Sequence, residues 1–94
     1  MAKTLTHEPD SSRYTLHIDG QLVALADYKV NGHSISFNHT YTQPAQRGHG
    51  YAGDVVDFAM RDVEETTDRK VVPMCWYVAE WFDKHPEKAA LLTR

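Results

Sequence analysis

The sequence predicts an α+β domain in which one mixed sheet carries helices on it. Three observations point there. Residues 13–42 alternate apolar and polar side chains, punctuated by Asp19-Gly20 and Asn31-Gly32. Residues 51–66 switch to helical spacing, and a short apolar run, Lys70-Val71-Val72-Pro73-Met74-Cys75, follows them. At 94 residues the chain is one domain, and two packed layers are the natural architecture at that size.

Residues 1–12 are polar, and Pro9-Asp10-Ser11-Ser12 is a turn signal, so a loosely ordered N-terminus is expected before a domain spanning 13–94. From Arg13 to Asp19, Tyr14, Leu16 and Ile18 share one face and Thr15, His17 and Asp19 the other, which is the pattern of a half-buried strand. Asp19-Gly20 is a hairpin turn. The strand that follows, Gln21 to Val30, is apolar on both faces for part of its length. Asn31-Gly32 marks a second hairpin. Beyond it Ile35, Phe37, His39 and Tyr41 fall on one face of a third strand, completing a three-stranded antiparallel meander.

Next, Gln43-Pro44-Ala45-Gln46 leads into Arg47-Gly48-His49-Gly50-Tyr51-Ala52. Ala52, Val55, Val56, Ala59 and Val63 then recur at helical spacing, predicting a helix from Tyr51 to Thr66 whose solvent face carries Asp54, Asp57, Arg61, Asp62, Glu64 and Glu65. Strand, helix and strand of these lengths suggest a parallel pairing. Tyr77 to Lys84 reads as a second helix with Val78, Trp81, Phe82 and His85 on one face. Pro86 stops it, and Glu87 to Arg94 reads as a last short helix.

Composition excludes several functions. Lys plus Arg number 10 and Asp plus Glu 13, a net charge of -3, which argues against a nucleic-acid partner. No stretch is long enough to span a membrane, and the N-terminus lacks the apolar run of a signal peptide. The single cysteine, Cys75, forms no internal disulfide, so the reducing cytoplasm is the simplest compartment. No histidine or cysteine spacing suggests a metal site.

The Gly-rich turn carries the chemistry. The first N–H groups of a helix have no internal partner, and the helix dipole adds positive charge there. Gly48 and Gly50 permit unusual backbone angles and a close approach to the main chain, and Arg47 adds a cation. Taken alone, the two glycines equally suit a plain strand-to-helix turn. The spacing is too short for a dinucleotide fingerprint, and no GK[ST] follows.

Arg47-Gly48-His49-Gly50-Tyr51-Ala52 resembles the (Q/R)xxGx(G/A) signature of the GNAT superfamily of N-acetyltransferases. With His39-Thr40, Val72-Pro73-Met74-Cys75-Trp76-Tyr77-Val78 and His85-Pro86-Glu87, the chain is similar to the small, single-domain GNAT-like proteins of the YjdJ type over residues 13–88. Lys88, where an aromatic is usual, and the bulky Trp76 depart from that pattern. The resemblance implies a minimal GNAT fold and acetyl-CoA as cosubstrate, with an unknown amine as acceptor. It implies that the strands on either side of the helix splay apart for the pantetheine arm. Backbone near Tyr41 and Thr42 would pair with pantetheine amides. Arg47, Gly48 and the N–H groups of His49, Gly50, Tyr51 and Ala52 would hold the diphosphate.

The same pocket is expected to hold Cys75 and His39. A thiolate can accept an acyl group from a thioester, with His39 as base. A lone cysteine at a strand end also serves as a small buried hydrophobe, and His39 as a cleft histidine. An N-acetyltransferase, a non-catalytic acyl-CoA-binding module and a bare scaffold with a structural glycine turn all stay open.

Overall fold

A computed structural model describes residues 2–94. Five strands form one sheet in chain order. They are β1 (Lys3–Glu8), β2 (Arg13–Ile18), β3 (Gln21–Asn31), β4 (Ser34–Thr42) and β5 (Lys70–Pro73). The first four pair antiparallel, and β5 runs parallel to β4. Helix α1 (Tyr51–Thr66) makes the crossover, α2 (Trp76–Lys84) follows β5, and a 3₁₀ segment, Pro86–Leu92, ends the chain.

The expected elements form for the expected reasons. At the first hairpin Asp19 and Gly20 both have positive φ, 51° and 83°, as a two-residue type I′ turn requires. The second loop is centred one residue later than the Asn-Gly signal. Asn31 pairs with Ser34, so Gly32 and His33 make the turn, and only Gly32 has positive φ. Helix α1 buries Val55, Val56, Ala59, Met60 and Val63 against Leu16, Ala24, Ala26 and Phe37 of the sheet. Val78, Trp81 and Phe82 of α2 and Leu91 join the same core.

Two differences from the sequence reading matter. The N-terminal segment expected to be loosely ordered contains β1, which pairs with β2 from Lys3↔Ile18 to Glu8↔Arg13, so the meander has four strands. Leu5 is its one strongly apolar residue, which is why alternation did not reveal it. Side-chain contacts hold it instead. The His7 ring stacks on Tyr14 at 4.2 Å, and its Nε2 lies 2.6 Å from the Tyr28 hydroxyl.

The second difference is Asp62, expected on the solvent face of α1. It accepts a 2.6 Å hydrogen bond from the Tyr14 hydroxyl and lies 3.4 Å from His7 Nδ1. Asp62 thus ties α1 to β1 and β2.

Burial, then the adjacent Asp62 carboxylate, pushes the Tyr14 phenol well above the ordinary 10.0. Burial and Asp62 also raise Tyr28. The folded state therefore keeps protons that the unfolded chain releases, and stability declines as pH rises through the unfolded tyrosine value. Urea unfolding should show a constant midpoint up to about pH 9 and a falling one above 10. Tyr14→Phe should flatten that alkaline fall while costing about 1–3 kcal/mol at neutral pH, through the lost bond to a charged acceptor.

Candidate functional site

Beyond Phe37 and Pro73 the two central strands of the site part. β4 and β5 pair only from Ser34↔Lys70 to Phe37↔Pro73, and the Cys75 N–H makes a last bond to the Phe37 carbonyl at 2.9 Å. β4 then continues through Asn38–Thr42 with β3 on one side and no strand on the other. In an extended strand backbone groups point alternately to either side, so this stretch leaves N–H and C=O groups facing the gap.

The register of β4 shifts at the point of parting. Asp27 of β3 faces His39, but its neighbour Tyr28 faces Phe37, so Asn38 has no partner. One extra residue reverses which side chains face the helices. Ile35 and Phe37 are buried under the helices, whereas Thr40 takes up the helix side after the bulge. Thr40 Oγ1 lies 3.6 Å from Cys75 Sγ. His39 is turned the other way, and its Nδ1 lies 3.1 Å from Asp27 Oδ2.

The parted strands form a groove of about 550 Å³, lined by His39, Thr40, Tyr41, Thr42, Arg47, Ala52, Trp76 and Tyr77. One bank is the free stretch of β4 and the other is the start of α2. Trp76 stands 73% exposed on that bank. The groove leads to a second hollow over the Gly-rich turn, lined by Thr42, Gln46, Arg47, Gly48, Gly50, Tyr51, Ala52 and Tyr77.

Gly48 and Gly50 have φ of 88° and 77°, values that side chains other than glycine rarely adopt. A Cβ at either would meet nothing within 4 Å, so backbone conformation rather than crowding demands glycine here. Gly50 is the N-cap of α1, and no side chain caps the helix. The first intrahelical bond runs from the Asp54 N–H to the Gly50 carbonyl, which leaves the N–H groups of Tyr51, Ala52 and Gly53 without helix partners. Asp54, in the first turn, is neutralised by Lys3 at 3.0 Å. Uncapped N–H groups, the helix dipole and the exposed Arg47 all favour an anion.

Cys75 sits half-buried at the N-cap of α2. Burial pushes its thiol up from the ordinary 9.0. Hydrogen bonds from Thr40 and from the backbone of Tyr77 and Val78 outweigh that effect, and the thiol ends below its usual value.

Residues 13–91 match the family model described as GCN5-related N-acetyl-transferase. The chain belongs to this family. Solved structures with the same fold include the ribosomal-protein-alanine N-acetyltransferase from Brucella melitensis biovar Abortus 2308, with 16% identity and a TM-score of 0.57, covering 78% of this chain and 61% of that one. The N-acetylglutamate synthase from Neisseria gonorrhoeae, solved with coenzyme A and N-acetyl-glutamate, shares 15% identity at a TM-score of 0.64, covering 88% of this chain and 22% of that one. A "predicted acetyltransferase with acetyl-CoA" from Clostridium acetobutylicum shares 15% identity at a TM-score of 0.56, covering 78% and 55%. The chain thus spans less than two thirds of each of these proteins. No curated protein sequence matches it.

Within this family fold, the structure gathers most of the residues singled out in the sequence. Tyr41, Thr42, Arg47, Gly48, Gly50, Tyr51 and Ala52 line the groove or the hollow. His49 lines neither, and its ring stacks on Tyr51 at 5.3 Å. Cys75 lines neither as well, lying behind Thr40, so the expected sharing of one pocket by His39 and Cys75 does not form. The bulge sends His39 to Asp27, and Thr40 takes the place beside the thiol. Thr40 was missed because unbroken alternation over residues 35–41 put it on the far face. No local signal marks the unpaired Asn38.

Thr40→Val keeps the shape of this contact and removes the hydroxyl. Alkylation of Cys75 by iodoacetamide near neutral pH should slow in that variant, because the thiol pKa rises and less thiolate is present. An unchanged rate would show that the backbone alone sets the thiol.

Proposed function

We propose that the chain is an acetyl-CoA-dependent N-acetyltransferase acting on an amine. One observation carries this reading: an uncapped helix N-terminus and a strand edge released from its neighbour open onto one continuous groove. Acetyl-CoA has matching parts. Its diphosphate suits the N–H groups of His49, Gly50, Tyr51 and Ala52 with Arg47 beside them. Its pantetheine amides suit the free backbone of β4 near Tyr41 and Thr42. The thioester then falls where β4 and β5 part, by Thr40 and Cys75.

Cys75 is the proposed transient acyl acceptor. Its thiolate attacks the thioester carbonyl, the bond to the CoA sulfur breaks, and CoA leaves and takes a proton. The amine next attacks the acetyl carbon on Cys75, an amide forms, and the Cys75 thiolate is regenerated. The hydrogen bonds that lower the thiol replace the activation first expected of His39. His39, on the exposed wall of the groove, serves instead as base toward the amine.

A second reading, a binding module without chemistry, draws on the absence of any carboxylate among the residues lining the groove. One measurement tests the site that both readings share, and a second separates them. Calorimetry should detect acetyl-CoA binding, and Gly50→Val should weaken it about tenfold or more, because a β-branched residue at positive φ distorts the turn by about 1–3 kcal/mol. Loss of binding without loss of folding cooperativity supports the site, and unchanged binding counts against it.

Mass spectrometry of the protein mixed with acetyl-CoA should find acetyl on Cys75. Cys75→Ala should lose both the adduct and most of the CoA release with amines. Binding with neither adduct nor turnover would favour the module.

A further inference from the structure

Arg13 of β2, Asp27 of β3 and His39 of β4 stand in one row across three adjacent strands, because Arg13 pairs with Asp27 and Asp27 with His39. The two oxygens of Asp27 are divided between its neighbours. Arg13 Nε lies 2.9 Å from Oδ1, and His39 Nδ1 lies 3.1 Å from Oδ2. Only the register shift at Asn38 brings His39 opposite Asp27.

We propose that Asp27, anchored by Arg13, is a positioning residue that holds His39 in the tautomer able to accept a proton from the acceptor amine. This rests on the acetyltransferase reading above. An ionised carboxylate only accepts hydrogen bonds, so the nitrogen facing it carries the hydrogen. In the neutral ring Nε2 is then the proton acceptor, and it has no partner among the described residues. An alkyl ammonium holds its proton up to about pH 10 and must lose it before it attacks. No carboxylate lines the groove, whereas His39 does, with its side chain 59% exposed to an incoming ligand.

The proton balance is complete. The ammonium gives one proton to His39 Nε2, which passes it to solvent. The neutral amine forms the C–N bond to the acetyl carbon. The second proton leaves as the amide forms and goes to solvent, replacing the one that CoA took up, and Cys75 departs as its thiolate. Charged and titratable groups around His39 are Asp27 on β3, Arg13 on β2, Arg47 past the end of β4, Tyr77 on α2 and Tyr41 on its own strand.

The first test reads the ring directly. Long-range ¹H–¹⁵N spectra of the full chain at about pH 9, where imidazole rings are neutral, should show the Nδ1–H tautomer, which Asp27→Asn removes and Asp27→Glu largely restores. A predominant Nε2–H tautomer in the unaltered protein overturns the proposal.

The second test uses CoA release from acetyl-CoA with Nα-acetyl-lysine amide. Asp27→Asn should lower kcat about tenfold and leave KM for acetyl-CoA unchanged. An unchanged kcat overturns it. Calorimetry with acetyl-CoA is run alongside. Failure to bind refutes the acetyltransferase reading, while the tautomer still decides whether Asp27 sets the ring. If the unaltered protein binds acetyl-CoA without turnover of this amine, the tautomer result decides alone.

Discussion

The site depends on how β4 is held. Up to Phe37 it is a central strand, paired on both edges and buried under the helices. Past Phe37 it keeps β3 and loses β5. A strand edge without a partner is normally a liability, because its backbone groups must find water or a ligand. Here the free edge lies inside a groove and ends at the Gly-rich turn. The unpaired Asn38 falls at the same place and exchanges the faces. The residue that reaches Cys75 is therefore Thr40, and the one that reaches Asp27 is His39. A single inserted register position separates the thiol from the imidazole.

Holding that edge open needs rigid supports on both banks. Helix α1 supplies one, packed through five buried residues across β2, β3 and β4. Phe37, with no exposed surface, packs against Tyr14 and Tyr28 and fixes the last paired position of β4. Helix α2 supplies the other bank. Its Trp81 is buried and donates a 2.7 Å bond to Asp57 of α1, and His85 stacks on Trp81 at 4.1 Å. A small core gains much from such polar ties, because a buried donor left unpaired would cost about 1–3 kcal/mol. No buried side-chain polar atom is left unpaired among the described residues.

The acidic face of α1 serves these ties and not solvation alone. Asp54 binds Lys3, Asp57 binds Trp81 and Asp62 binds Tyr14. Each reaches a different element, so one helix gathers β1, β2 and α2. The cluster of His7, Tyr14, Tyr28 and Asp62 lies near the C-terminal end of α1, away from the Gly-rich turn at its start. Its raised phenols are a property of packing and make the stability of the sheet sensitive to alkali.

Local rules determined much of this protein from the sequence. Alternation places β2 and β4, the hairpin signals on either side place β3, a change of period marks α1 at Tyr51–Thr66, and the two glycines before it permit the positive φ they adopt. These are short-range effects of side-chain spacing and backbone sterics, so they are legible in a single chain. Tertiary structure decided the rest. The polar strand β1 exists because β2 offers it an edge and Tyr14 and Tyr28 offer its histidine a place. Asp62 became internal because β1 and β2 came to it. The bulge at Asn38 arises from pairing with β3, and no residue in β4 announces it. Pairing across strands is a long-range choice, and in a sheet one residue of register decides which face every later side chain takes.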